Sequence, residues 1–233
     1  MKNLRFYGLC ALSAYIMFSC ASAKQHEPHG LKDALGDKFL IGAALNEDEF
    51  YGRIPKAQQA IEKHFNTIVA ENDMKSMFLQ PSEGEFFFRD ADRFVEYGEQ
   101  NDMVITGHTL IWHSQAPAWF FVDGKGDEVS RDVLIERMKN HIHTVVGRYK
   151  GRIKGWDVVN EAIVDGGGWR QSPFYRIIGE DFVKLAFQFA HEADPDAELY
   201  YNDYSMSLEG RREGVIRMVK SLQEQGVRID GIG

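Results

Sequence analysis

The chain has 233 residues, 44% hydrophobic and 27% charged, which suits one large α/β domain and excludes disorder. Its 35 acidic and 27 basic residues leave a net charge of −8. That balance excludes nucleic acid as a partner, because phosphate contacts need clustered cations, and is compatible with a neutral ligand.

Residues 1–23 have the layout of a secretory signal. Lys2 and Arg5 form a basic start, Phe6 to Phe18 is mostly apolar, and Cys20-Ala21-Ser22-Ala23 follows. The apolar run is too short for a spanning helix. Two processing routes compete. Ala21-Ser22-Ala23 fits an A-x-A cleavage site. Ser19-Cys20 resembles a loose lipobox, with Cys20 as a lipidated N-terminus. The expected location is therefore secreted or in the cell envelope, with membrane contact only through a lipid on Cys20. The only cysteines, Cys10 and Cys20, both lie in this leader, so no disulfide is expected in the mature domain. Residues 24–36 are polar, contain Pro28 and Gly30, and read as a linker.

From residue 37 onward, strands and helices alternate. Strands are predicted at Phe39 to Leu45, Thr67 to Ala70, Met103 to Thr106, Ile153 to Val159, Leu199 to Tyr201 and Ile229 to Gly233. Helices are predicted from Ile54 to Phe65 with Pro55 in the first turn, and over residues 90–100. A longer helix is capped by Ser130, with Leu134, Ile135, Met138, Ile142, Val145, Val146 and Tyr149 on one face. Phe182, Leu185, Ala186, Phe189 and Ala190 mark the next, stopped near Asp194-Pro195. Val215, Ile216, Val219 and Leu222 mark the last, closed by Gly226. Strict alternation argues for a parallel sheet with right-handed crossovers, which both a doubly wound sheet and a (β/α)8 barrel satisfy. Gly166-Gly167-Gly168 follows a strand but lacks the spacing of a dinucleotide-binding loop.

Polar residues collect after the strands: Asn46; then Glu71, Asn72 and Lys75; then His108, Trp112, His113 and Gln115; then Asn160 and Glu161; then Asn202, Asp203 and Tyr204. In a parallel barrel those ends share one face, where barrel enzymes place their active sites. One Asn-Glu after a strand is usually a turn or cap; the whole series in barrel order carries the argument. His108 and His113, or His141 and His143, lack the i, i+4 spacing of a helical zinc pair, so no metal is expected. Nothing calls for a cofactor.

Several blocks are specific. Residues 66–81 read NTIVAENDMKSMFLQP, 107–117 GHTLIWHSQAP, 155–163 GWDVVNEAI, 170–179 RQSPFYRIIG, 199–204 LYYNDY and 229–233 IDGIG. In these blocks the chain, over roughly residues 31–233, resembles glycoside hydrolase family 10. Its usual activity is endo-β-1,4-xylanase, the retaining hydrolysis of internal β-1,4-xylosidic bonds in xylan. One departure is Ser76-Met77, where the family usually has Trp directly after Lys.

The resemblance implies a (β/α)8 (TIM) barrel with about six of eight units present in residues 37–233. It implies Glu161 as acid/base, with Asn160 beside it on the sugar 2-hydroxyl. Glu71, Asn72, Lys75, His108, Trp112 and Gln115 would bind the glycone side, and Asn202 and Tyr204 the aglycone side. Xylan or xylo-oligosaccharides are the implied partner. Retaining cleavage needs two carboxyls about 5–5.5 Å apart, one protonated near neutral pH and one charged. The family's nucleophile follows the seventh strand, downstream of IDGIG, and these residues stop at Gly233. No residue is therefore assigned as nucleophile. The expectation is that the parent enzyme is longer and that these residues alone do not hydrolyse xylan. Two rival readings are a β-1,4-glucanase and a non-catalytic xylan-binding surface protein.

Overall fold

The computed structural model describes residues 30–36 and 38–233. The expected leader, its Cys20 and residues 24–29 of the expected linker lie outside the described residues. The rest of that linker differs from expectation. Leu31–Leu35 forms a short helix, α1. Five residues cannot hold a helix alone, and α1 is held by long-range bonds. The Leu31 amide donates to His64 Nδ1 (3.3 Å) and Lys32 Nζ donates to the Glu62 carbonyl (2.6 Å). Gly30 permits this docking, since a Cβ there would sit 1.9 Å from the Lys63 carbonyl oxygen.

The elements then follow as β1 (Gly42–Leu45), α2 (Glu47–Phe50), α3 (Pro55–His64), β2 (Thr67–Ala70), α4 (Ser76–Leu79), α5 (Arg89–Gln100) and β3 (Val104–Trp112). After a 3-10 turn at Ala118–Phe120 come α6 (Arg131–Arg148), β4 (Gly155–Asn160), α7 (Pro173–Ile178), α8 (Asp181–Ala193), β5 (Glu198–Asn202), α9 (Glu209–Glu224) and β6 (Gly231–Ile232). All six predicted strands are present. The Ser130 hydroxyl caps α6 by accepting from the Val133 amide. Leu134, Met138, Ile142, Val145 and Val146 are buried on the predicted face, and His141 joins them. Ile135 and Leu185, placed on buried stripes by spacing, are only partly buried.

Every strand pairs in parallel with its sequence neighbour, giving the order β1-β2-β3-β4-β5-β6. That order decides between the two architectures left open by alternation. A doubly wound sheet reverses its strand order at a switch point. Here every crossover steps the same way, so right-handed connections put all the helices on one face. The sheet is six consecutive units of an incomplete (β/α)8 barrel. Side chains alternate accordingly: Ile68, Ala70 and Ile105 are buried, while Thr67, Val69, Thr106 and His108 are half-buried on the other face.

β3 extends well past the predicted Met103 to Thr106, and its pairing with β4 shifts register between His108 and Ile111. The added length carries His108 and Trp112 to the C-terminal rim.

Candidate active site

Glu161 directly follows β4 and has φ +59°. A non-glycine residue in the left-handed region costs roughly 1–2 kcal/mol, so neighbouring contacts must hold it. Its amide donates to the Asn202 carbonyl (2.9 Å), and Arg170 Nε donates to its carbonyl (2.7 Å). The next residue is held too. The Ala162 amide donates to the Tyr201 hydroxyl (2.9 Å), and the Arg170 amide donates to the Ala162 carbonyl (2.8 Å). The carboxylate is then placed by Trp112, whose Nε1 donates to Oε2 at 3.0 Å.

Trp112 joins this carboxylate to the polar cluster after β2. Lys75 Nζ stands 4.9 Å from its ring centroid, a cation–π contact of about 0.5–2 kcal/mol. Lys75 Nζ also donates to Gln115 Oε1 (2.7 Å) and Asn72 Oδ1 (3.2 Å). Lys75 is buried, and burial lowers its pKa; Glu71, Glu161 and Asp73 act in the opposite direction. The cluster continues through Asn46, whose Nδ2 donates to Glu71 Oε2 (2.9 Å) and whose Oδ1 accepts from Asn72 Nδ2 (3.4 Å). Ser76, standing where the family usually has Trp, is buried and donates to the Gln115 carbonyl (3.2 Å).

His108 points from β3 and its Nδ1 lies 2.7 Å from Asp157 Oδ2. A proton on Nδ1 satisfies that carboxylate and leaves Nε2 as the ring's other polar atom. His108 and Trp112 have ring centroids 6.4 Å apart. His113, whose ring centroid lies 6.2 Å from that of Trp112, has its pKa lowered by burial and by Arg170.

On the β5 side, Asn202 Nδ2 donates to Asn160 Oδ1 (3.0 Å), which fixes the buried Asn160 amide. Tyr204 is half-exposed. Its hydroxyl accepts from Arg170 Nη2 (3.2 Å), and the Arg211 guanidinium lies 3.8 Å from its ring centroid. Both arginines lower its pKa, Arg170 more strongly. Arg211 is itself fully buried between Asp165 and Asp203. Asp203 also accepts from the Tyr201 hydroxyl (2.5 Å).

The structure therefore gathers Asn72, Lys75, His108, Trp112, Gln115 and Glu161 by direct contacts and joins Glu71 through Asn46, with Asn160 and Asn202 at the ends of β4 and β5 and Tyr204 just beyond β5. Sequence reasoning passed over Asp157, Arg170, Tyr201 and Arg211, and it gave Asn46 no role. Asp157 was detectable as the one charged residue inside the apolar β4 segment of GWDVVNE, on the face opposite Trp156. Arg170 stood in a quoted block, but nothing local connects it to Glu161.

This mouth sets hydrogen-bonding groups, the Lys75 ammonium and the carboxyls of Glu71 and Glu161 around one aromatic face, that of Trp112. Comparisons with known proteins agree with that geometry. The family model described as "Glycosyl hydrolase family 10" matches residues 30–233. Endo-1,4-beta-xylanase A of Xylanibacter ruminicola is 54% identical over 218 residues, covering 94% of this chain and 59% of the relative. An endo-1,4-beta-xylanase of Geobacillus stearothermophilus is 46% identical, covering 87% and 61%. Among solved structures, a GH10 endoxylanase from a sugarcane soil metagenome superposes with TM-score 0.85 at 45% identity, covering 88% and 61%. A mutant of the intracellular xylanase of Thermoanaerobacterium saccharolyticum, solved with xylotetraose, gives 0.84 at 42%, covering 89% and 66%. The chain thus spans about three-fifths of the length of these two relatives.

Proposed function

The chain belongs to glycosyl hydrolase family 10, and from that premise we propose that it forms the acid/base side of an endo-1,4-β-xylanase active site. The observation that carries this reading is the contact of Trp112 Nε1 with Glu161 Oε2 at 3.0 Å, beneath Lys75. One end of the mouth holds a carboxyl, and the adjoining cluster offers hydrogen-bonding groups to a sugar.

In this mechanism Glu161 gives its proton to the glycosidic oxygen as the bond to carbon 1 breaks. A second carboxylate attacks carbon 1 and forms a glycosyl ester; none of the residues in hand is given that role. Glu161 then takes a proton from water as water displaces the ester. Trp112 keeps one carboxyl oxygen engaged, which aims the other at the bond. Lys75, Asn72, Glu71, Gln115 and His108 bind the glycone through hydroxyls, and Asn160 bonds the hydroxyl on carbon 2. Tyr204 and Asn202 face the leaving side. The complexes of the Thermoanaerobacterium xylanase with xylotriose and xylotetraose support a xylo-oligosaccharide as the ligand.

The test is hydrolysis by the full-length gene product, assayed on xylan and on carboxymethylcellulose. Release of reducing sugar from xylan is expected, and Glu161→Gln should lower kcat by roughly 10²–10⁴-fold. Unchanged xylan turnover in that variant, or turnover of the cellulose derivative alone, would refute the assignment.

We also propose export, supported by the basic, apolar and small-residue order of residues 1–23. Mass spectrometry of the mature protein would show either a lipid on Cys20 or a free Lys24 start. An N-terminus at Met1 would end the proposal.

A further inference from the structure

A cleft of about 420 Å³ opens between α8 and α9, and none of its lining residues belongs to the active-site set. Its size falls among small-ligand sites, about 300–1,000 Å³. The floor is apolar, from Ile163, Met218 and Leu222, and one wall is the Trp169 indole. That ring is held in place. Its Nε1 donates to Glu180 Oε2 (3.1 Å), and it stacks on Tyr175 at 5.7 Å and 20°. A ring already fixed offers a flat face with little further ordering cost.

The rim is polar but carries no unbalanced charge. Glu180 and Asp181 oppose Lys184 and Arg217. Each is also engaged within the protein. Lys184 donates to Gln225 (3.1 Å), Arg217 to the Gly167 carbonyl (2.8 Å), Arg131 to Asp181 (2.8 Å) and Trp169 to Glu180. An ion has nothing to select it here. A flat apolar wall, an apolar floor and spare hydrogen-bonding capacity match a neutral sugar, which presents C–H faces and hydroxyl edges.

The cleft is also tied to the active-site mouth by one segment. Ile163 and Trp169 form an antiparallel bridge. Successive residues in an extended segment point to opposite sides. Arg170 accordingly reaches the Glu161 carbonyl while Trp169 faces the cleft. Two binding places on one short segment favour a polymer that engages both, since the second contact becomes intramolecular. We infer that this cleft is a second xylan-binding site, taking a short stretch of neutral β-1,4-linked xylose. The identity of the sugar rests on the proposed function.

Within residues 1–233 the tryptophans are Trp112, Trp119, Trp156 and Trp169, and each is assigned by its own Trp→Phe variant. Their ¹⁵N-indole resonances therefore report the two sites separately, and buried Trp156 serves as a reference. Xylohexaose should shift the Trp169 resonance saturably in the wild type. It should still do so in Lys75→Ala, where the response of Trp112 is weakened. Ser221→Phe fills the cleft from an exposed position. It should weaken the Kd read at Trp169 about tenfold or more and that read at Trp112 by clearly less. A Trp169 resonance that never moves, or that disappears with the Trp112 response in Lys75→Ala, overturns the inference, as does an unaffected Ser221→Phe. Movement of Trp112 alone sinks the cleft and spares the active site. Movement of Trp169 alone sinks the active-site reading and keeps the cleft.

Discussion

Arg170 holds Glu161 by its backbone: the guanidinium Nε donates to the main-chain carbonyl at 2.7 Å, nine residues away in sequence. The same guanidinium reaches the Tyr204 hydroxyl at 3.2 Å. A left-handed residue without that anchor can relax toward ordinary φ and turn its carboxyl off the Trp112 indole. Hydrogen bonds involving a charged group are worth about 1.5–3 kcal/mol. Arg170→Ala should therefore lower kcat by roughly ten- to a hundredfold, with a smaller change in KM. Steady-state kinetics on xylo-oligosaccharides decide it; a pure KM effect would assign Arg170 to binding instead.

Asp157 plays the matching part for His108, at 2.7 Å from Nδ1. Without the carboxylate, the imidazole loses both its tautomer preference and its orientation. Asp157→Ala should weaken glycone binding about tenfold or more. Calorimetric titration with xylotriose measures this directly. Binding equal to wild type would mean that His108 is positioned by packing alone.

Asp73 gives a pH signature. Burial first, and Glu47 second, raise its pKa from 3.8 to about 6. A folded-state pKa above the unfolded value means that the folded protein binds the extra proton. Stability therefore falls as pH rises from about 4 to about 6. One pH unit corresponds to about 1.4 kcal/mol, so Asp73→Asn should stabilise the protein by up to about 3 kcal/mol at pH 7 and by little at pH 4. Urea denaturation at the two pH values tests the sign. Equal gain at both would show that charge is not the cause.

His141 runs the other way. It is fully buried on α6, its Nδ1 lies 2.8 Å from Gln80 Oε1, and burial lowers its pKa from 6.5 to about 3. The unfolded chain takes up this proton first, so stability is complete above pH 6.5 and is lost as pH falls toward 3. His141→Gln, whose amide can still donate to Gln80, should flatten that acid limb. A denaturation midpoint that drops just as steeply between pH 6.5 and 4 would contradict this.

Some of this architecture was readable locally. Thr67 to Ala70 is a short β-branched run between turn signals, and the strand has those bounds. The α6 face was visible because seven apolar residues recur at helical spacing and Ser130 precedes them. The helices α2, α4 and α7 were not readable, since four to six residues are too few to show a period. Leu31–Leu35 looked like linker because five residues are too few to show a period or hold a helix alone; contacts with His64 and Glu62 of α3 hold it.

The site divides along the same line. Strand-end position identified Glu161, Trp112, Lys75 and His108, because a parallel sheet carries the residue after every strand to one rim. The partners that orient them, Asp157 for His108 and Arg170 for Glu161, could not be paired beforehand. Hydrogen bonds such as Trp112 to Glu161 join residues 49 positions apart. By itself the sequence determined which side chains reach the mouth, through a repeating strand-helix pattern that any local window contains. The tertiary structure alone decided how each is aimed. Orientation depends on distances between segments, and those exist only after the strands have paired in order.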